Sequence, residues 1–329
     1  MKTCALFLAL ILAAPVFAQK KIDFLQEGRD FTNLFYDGKA NEIWMNLSPP
    51  MKKVFSEADA ILGLQLQMKS ENGAESSVIE EHVLLQGDFV VYQRMVMFQK
   101  NPTPMMVQWS FDNTGLVVGF YIRPGAAGES HFLDYKDKVA LRLPFKGNWL
   151  VLSGGRSVAE NHHASTVDQR FAADITTIKH GRIFSGDGTR LEQYFCYGQR
   201  VLAPGDGTVV EVHDGIPDNP INAPLASPPA GNFVMIDYGN SEFSLMAHLK
   251  LGSIKVKAGD KVRSRDKIGK CGNSGNASVP HLHMHMQNTP VLFEGEGLPL
   301  QFQDYLADKK FVKTGEPVTG QVIRDKPPK

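Results

Sequence analysis

Cysteine is nearly absent from this 329-residue chain, with only Cys4, Cys196 and Cys271 present. So few thiols exclude a small disulfide-stapled scaffold, and the distance between the last two excludes a Cys-x-x-Cys redox pair or zinc knuckle. Neither sign of charge is in excess, since 35 Lys and Arg balance 35 Asp and Glu. That balance argues against nucleic acid or an anionic membrane surface as partner. Beyond the first residues no apolar run reaches the roughly 20 needed for a transmembrane helix. Internal repeats and low-complexity tracts are also missing, and without a His-rich tract a metal-storage role has little support. The length suffices for two domains, each with its own core.

The chain opens with Met1-Lys2-Thr3, a short positive start, and continues with an apolar run from Cys4 to Phe17. Val16-Phe17-Ala18 offers small residues for a signal peptidase, so residues 1–18 are expected to be a signal peptide cleaved before Gln19. Cys4 lies inside the apolar run, which argues against a lipoprotein anchor. The mature protein is expected to be exported, periplasmic or secreted. In such an oxidising compartment Cys196 and Cys271 can pair, although nothing in their spacing shows that they meet.

Residues 19–124 read as an α+β domain. Phe24, Phe31, Leu34 and Phe35 recur near helical spacing, and Glu57 to Met68 is a second amphipathic candidate. Strand-like runs follow at 77–85, 88–98, 105–111 and 116–122, with Asp112-Asn113-Thr114-Gly115 as the hairpin turn between the last two. Helices followed by an antiparallel meander, with the pattern Val107-Gln108-Trp109-Ser110-Phe111-Asp112, resemble the cystatin-like cone fold often fused to exported bacterial enzymes. Residues 125–138 are polar and Gly-containing, as suits a linker. From 139 to 329 short β-branched runs alternate with Gly, Pro, Asn and Asp turns, which predicts an all-β domain.

Eight of the ten histidines fall at or after His162. The segment Pro280-His281-Leu282-His283-Met284-His285 has the alternation of a strand, so its three imidazoles would share one face. Imidazole is the commonest zinc ligand and the usual proton shuttle near neutral pH. A hydrolytic zinc site needs three protein ligands and one open position for water.

The series Leu202-Ala203-Pro204-Gly205-Asp206-Gly207-Thr208, Met246-Ala247-His248-Leu249, Val256 with Gly259-Asp260, Ile268-Gly269 with Gly272-Asn273-Ser274-Gly275, and Pro280-His281-Leu282-His283 supplies the wider context. In this order the segments resemble the lysostaphin/LytM-type zinc metallopeptidases, which cut peptide cross-links of bacterial cell walls. The resemblance spans about residues 141 to 287. It implies a zinc endopeptidase acting on peptidoglycan stems or cross-links with one zinc ion. It also implies that Asp174 and His283 are zinc ligands, that His281 is a catalytic base, and that His248 is a second catalytic histidine.

The first ligand departs from the family pattern. Arg170 stands four residues before Asp174, where a histidine is usual, and a guanidinium cannot bind zinc. Upstream lies Asn161-His162-His163, from which His163 is expected as the third ligand, with His162 as the alternative. This altered segment keeps a second reading open, a non-catalytic member of the fold that binds or regulates wall hydrolases. His285 reads as structural, and His82, His131, His180 and His213 read as surface or core residues.

Overall fold

The computed structural model describes residues 22–325, apart from 87–88, 126 and 226. The expected signal peptide lies outside the described residues. Among those described, no helix is long and apolar enough to cross a membrane.

Helix α1 (Phe24–Tyr36) starts where the Asp23 carboxylate accepts the backbone N–H groups of Leu25 and Gln26 at 3.1 and 3.3 Å. Two of the donors left unpaired at a helix start are thereby satisfied. Gly28, Phe31, Thr32 and Phe35 form its buried stripe at i, i+3, i+4 and i+7. Position 28 has to be glycine, because a Cβ there would overlap the Tyr92 ring. Two six-residue helices, α2 (Ala40–Met45) and α3 (Pro49–Val54), precede α4 (Ala58–Asn72). Both are too short to show a helical period in sequence, and neither was expected. Strands β1 (Glu75–Gln86), β2 (Phe89–Phe98), β3 (Asn101–Phe111) and β4 (Val117–Pro124) form an antiparallel meander in chain order, matching the four expected strands. Asp112 holds the β3–β4 turn by accepting from Thr114 N and Leu116 N.

The two faces of this sheet have different partners. Tyr92, Val96, Val107, Trp109 and Phe111 face the helices, with Phe31 and Phe35 among their neighbours. The Trp109 indole N–H donates to Thr32 Oγ1 at 3.0 Å. Met95 and Met106 on the other face pack with Val158 and Ala164 of the C-terminal half.

That half is mostly β: β5 (Trp149–Ser153), β6 (Ala173–Thr177), β7 (Arg200–Leu202), β8 (Gly207–His213), β9 (Asn232–Asp237), β10 (Phe243–Leu249), β11 (Lys261–Val262), β12 (Lys267–Lys270), β13 (Leu282–Gln287), β14 (Gly297–Leu298), β15 (Phe302–Ala307), β16 (Lys310–Gly315) and β17 (Val322–Asp325). The main sheet runs β11-β8-β9-β10-β13-β6-β5-β17-β15-β16, with β14 also paired to β13. Its core contains Ile175, Met246, Leu249, Leu282, Met284 and Met286. The Cys196–Cys271 disulfide lies in the same core, with its Cα atoms 5.9 Å apart and both residues fully buried. Residues 127–138 are irregular and docked onto this half. Phe132 and Tyr135 pack on its core, and the Tyr135 hydroxyl donates to Glu242 at 2.9 Å.

Candidate metal centre and active site

Strand β13 alternates as its sequence predicts. Leu282, Met284 and Met286 enter the core, which leaves the odd-numbered histidines on the opposite face. Its two neighbours place complementary groups there: Asp174 of β6 is the register partner of His283, and Ala247 of β10 pairs with His283 from the other side.

Simple alternation would send His248 into the core. Instead Met246 and Leu249 both enter the core, the β9–β10 register shifts between these two residues, and His248 adopts φ 59°. The extra residue is absorbed as a bulge that turns the imidazole to the site side. A left-handed conformation at a non-glycine residue costs on the order of 1–3 kcal/mol and is typical of functional positions.

Asp174 is the hub of the site. Its Oδ1 is 2.9 Å from His283 Nδ1 and 3.5 Å from His281 Nε2. Its Oδ2 is 3.0 Å from His163 Nε2 and 3.6 Å from His162 Nε2. His162, His163 and Asp174 offer donor atoms that all lie within 4.8 Å of one another. His163 is mostly enclosed, whereas the His162 side chain is 46% exposed. The His248 ring centroid is 4.7 Å from that of His281 and 5.7 Å from that of His283.

Two of these imidazoles are pinned by backbone carbonyls. His248 Nδ1–H donates to Ser274 O at 2.8 Å, and His281 Nδ1–H donates to Val279 O at 2.8 Å. A carbonyl can only accept, so each neutral ring carries its free lone pair on Nε2. Burial opposes the charge on Asp174, but the imidazoles led by His163 and His281 outweigh it and hold the carboxyl well below its ordinary value. Burial followed by the neighbouring His281 and His283 pushes His248 well down. His281 goes the other way: burial would lower it, but the Asp174 carboxylate raises it above the ordinary value. Burial likewise pushes His285 down to about 3.

The loop carrying His162 and His163 is built by residues to which the sequence reading gave no role. Fully buried Asn161 donates to Gly155 O and Ala172 O, both at 2.9 Å, and accepts from His163 N at 3.0 Å. It thereby ties the loop to the residue preceding β6. Arg170, in the position of the missing histidine, donates to Ala164 O at 3.1 Å and so braces the same loop. The N-terminal sheet adds three further bonds. Gln93 Nε2 donates to Ala159 O at 3.1 Å, Arg123 Nη2 to Val158 O at 3.2 Å, and Gly128 N, just past β4, to Ala164 O at 2.7 Å. Asn161 could have been suspected from its position, since Asn before a short turn is a common cap. The contacts of Gln93 and Arg123 join residues 66 and 35 positions apart and leave no local signal.

Three of the remaining histidines have other partners: His82 bonds Gln93, His131 pairs with Glu296, and His213 stacks on Phe233.

The donor set fits zinc: imidazole nitrogens and one carboxylate, gathered on two interior strands of the sheet and one braced loop. Two further imidazoles, His248 and His281, each held through Nδ1 by a backbone carbonyl, stand beside it, as acid–base chemistry requires.

Residues 189–294 match the family described as Peptidase family M23. The match contains His248, His281 and His283, while His163 and Asp174 lie before it. An uncharacterized metalloprotease of Buchnera aphidicola is 38% identical over 86 residues, covering 26% of this chain and 19% of that protein. The peptidoglycan DD-endopeptidase ShyA of Vibrio cholerae is 36% identical over 89 residues, 27% of this chain and 17% of the relative. The chain thus aligns with less than a fifth of the length of either relative. Among solved structures, a zinc containing peptidase from Vibrio cholerae is 18% identical, with a TM-score of 0.31 and coverage of 64% of this chain and 56% of that one.

Proposed function

We propose that this chain, whose residues 189–294 match peptidase family M23, is an exported zinc endopeptidase that hydrolyses peptide bonds in peptidoglycan stems or cross-links. The observation that carries this reading is the convergence of His163 and His283 on the two oxygens of Asp174, with His281 and His248 alongside. Similarity to a metalloprotease and to a peptidoglycan endopeptidase supports the chemistry and the substrate class. The buried disulfide and the leader-like first residues support export. The helices and four-strand meander of the N-terminal half support the cystatin-like reading of that unit.

His163, Asp174 and His283 would hold one zinc ion. When bound, zinc supplies a Lewis acid for the scissile carbonyl and lowers the pKa of the attacking water toward about 7. His281, its basicity raised by Asp174, takes the proton from the water and delivers it to the leaving amine. His248, neutral and fixed by Ser274 O, accepts a hydrogen bond at Nε2 and orients the water.

The non-catalytic reading rests on Arg170; against it, the His163 imidazole 3.0 Å from Asp174 supports His163 as the replacement ligand. The test is zinc content of the purified mature protein together with digestion of isolated peptidoglycan. One zinc per chain and release of cleaved stem peptides, both abolished in His283→Ala, are expected. Zinc without cleavage of any wall peptide would sink the peptidase reading. No zinc after reconstitution would favour the regulator.

A further inference from the structure

A chain of side chains runs away from the metal centre along β13. His283 Nε2 is 3.0 Å from His285 Nδ1, and His285 Nε2 is 2.7 Å from Gln287 Oε1. The Gln287 amide nitrogen donates to Thr289 O at 2.6 Å and to Val291 O at 3.1 Å. His285 and Gln287 are both buried, and such a polar row inside a β domain needs a reason.

The far end determines every proton in the row. Two backbone carbonyls can only accept, so the NH2 of Gln287 must face them and its oxygen must face His285. That oxygen is an acceptor, so His285 carries its proton on Nε2. Among the described residues the ring nitrogens of His285 meet only His283 and Gln287, with no carboxylate; an enclosed imidazole so placed is neutral, which leaves Nδ1 as an acceptor. His283 must then donate from Nε2, and its Nδ1 is a bare lone pair. This lone pair faces Asp174 Oδ1 at 2.9 Å. Two lone pairs opposed at that distance call for a cation to bind both.

We infer that His285 and Gln287 are positioning residues that lock His283 in the Nε2–H tautomer, leaving its Nδ1 preorganised as a metal ligand. The assignment deepens the zinc reading proposed above and rests on it. A partner that accepts the second ring N–H of a ligand imidazole and so orients it typically contributes about 10–100-fold in metal affinity. The row thus supplies what a carboxylate beside a zinc-bound histidine often does, but with a neutral acceptor anchored on two carbonyls of the loop after β13.

The unmodified protein provides the first test. Imidazole 15N shifts of the metal-free chain should show His283 and His285 both protonated on Nε2, and an Nδ1–H tautomer at either residue overturns the inference. Zinc competition against a chromophoric chelator supplies the second. His285→Leu should bind zinc about 10–100-fold more weakly, whereas His285→Asn, whose Oδ1 takes the place of the accepting Nδ1, should recover most of the affinity. Equal zinc affinity in wild type and a folded His285→Leu overturns the positioning role alone. Failure of the wild type itself to bind zinc overturns the parent reading as well.

Discussion

Asp174 and His283 are direct register partners on adjacent strands, and their side chains meet at 2.9 Å. The backbone ladder therefore sets the spacing of two proposed zinc ligands, and no loop closure is needed to bring them together. Asp174→Asn keeps the shape but removes the charge that gathers four imidazoles. Zinc affinity is expected to fall by at least about 100-fold while the fold persists, since buried imidazoles lose only an acceptor. Isothermal titration with zinc beside a thermal melt checks both halves, and unchanged affinity would exclude Asp174 as a ligand.

The neighbouring pair His162 and His163 can be separated by exposure. His163 is the more enclosed ring and stands 3.0 Å from Asp174, against 3.6 Å for His162. His163→Ala should abolish stoichiometric zinc, and His162→Ala should weaken it by less than about tenfold. Metal analysis of the two variants after dialysis decides between them, and the reverse order would make His162 the ligand.

His248 is expected to separate chemistry from metal binding. It sits on a bulge beside the site and bonds to Ser274 O rather than to Asp174. His248→Ala should retain zinc and lose about 10²–10⁴-fold in turnover, the usual contribution of a positioned acid–base group. Loss of zinc in this variant would instead make His248 a ligand.

The disulfide closes a loop of 75 residues between Cys196 and Cys271. In the chain-entropy picture such a closure stabilises the fold by about 4 kcal/mol. Cys271 also pairs with Leu249, and Gly272 pairs with His281, so the bridge holds the backbone directly beside two site histidines. The double variant Cys196→Ala/Cys271→Ala should show a markedly lower denaturation midpoint. A midpoint within error of wild type would show that packing alone secures this region.

Asp137 gives a pH signature outside the proposed site. Its Oδ2 accepts from Gln301 N, while its Oδ1 is buried without a partner. Burial, with lesser help from Glu242 and Glu316, pushes its pKa up to about 7. A folded-state value above the unfolded one means that the folded chain holds the extra proton. Its stabilising contribution is full below about pH 4 and is lost as pH rises through about 7. Asp137→Asn should therefore be the more stable protein at pH 8, by about 2–4 kcal/mol, with the difference vanishing near pH 4. Parallel melting curves across that range would refute the assignment.

Legibility from sequence followed the range of the interactions involved. The row on β13 could be read because strand alternation is local, and four meander strands could be read because their patterns and turn residues are local. His248 could be picked from its motif, but the bulge that turns it out of the core depends on how β9 pairs with β10. The third ligand stayed open between His162 and His163 because a loop has no period. Its geometry comes from Asn161, from Arg170, and from Gln93 and Arg123 in the other half of the chain. His285 read as structural because a single buried imidazole says nothing until Gln287 and the two carbonyls beyond it are in place.

The grip of the N-terminal sheet on residues 158–164 also bears on how the centre is assembled during synthesis. Residues 75–124 emerge before residues 162–163, so a folded meander is available as a template when the ligand loop arrives. Strands β6, β10 and β13 then bring Asp174, His248, His281 and His283 by their own pairing. A fragment beginning at residue 139 would keep these four and leave the loop with His163 held by Asn161 and Arg170 alone. Severing the two halves would thus yield a latent centre, complete in its sheet and slack at one corner, which added N-terminal domain could tighten in trans.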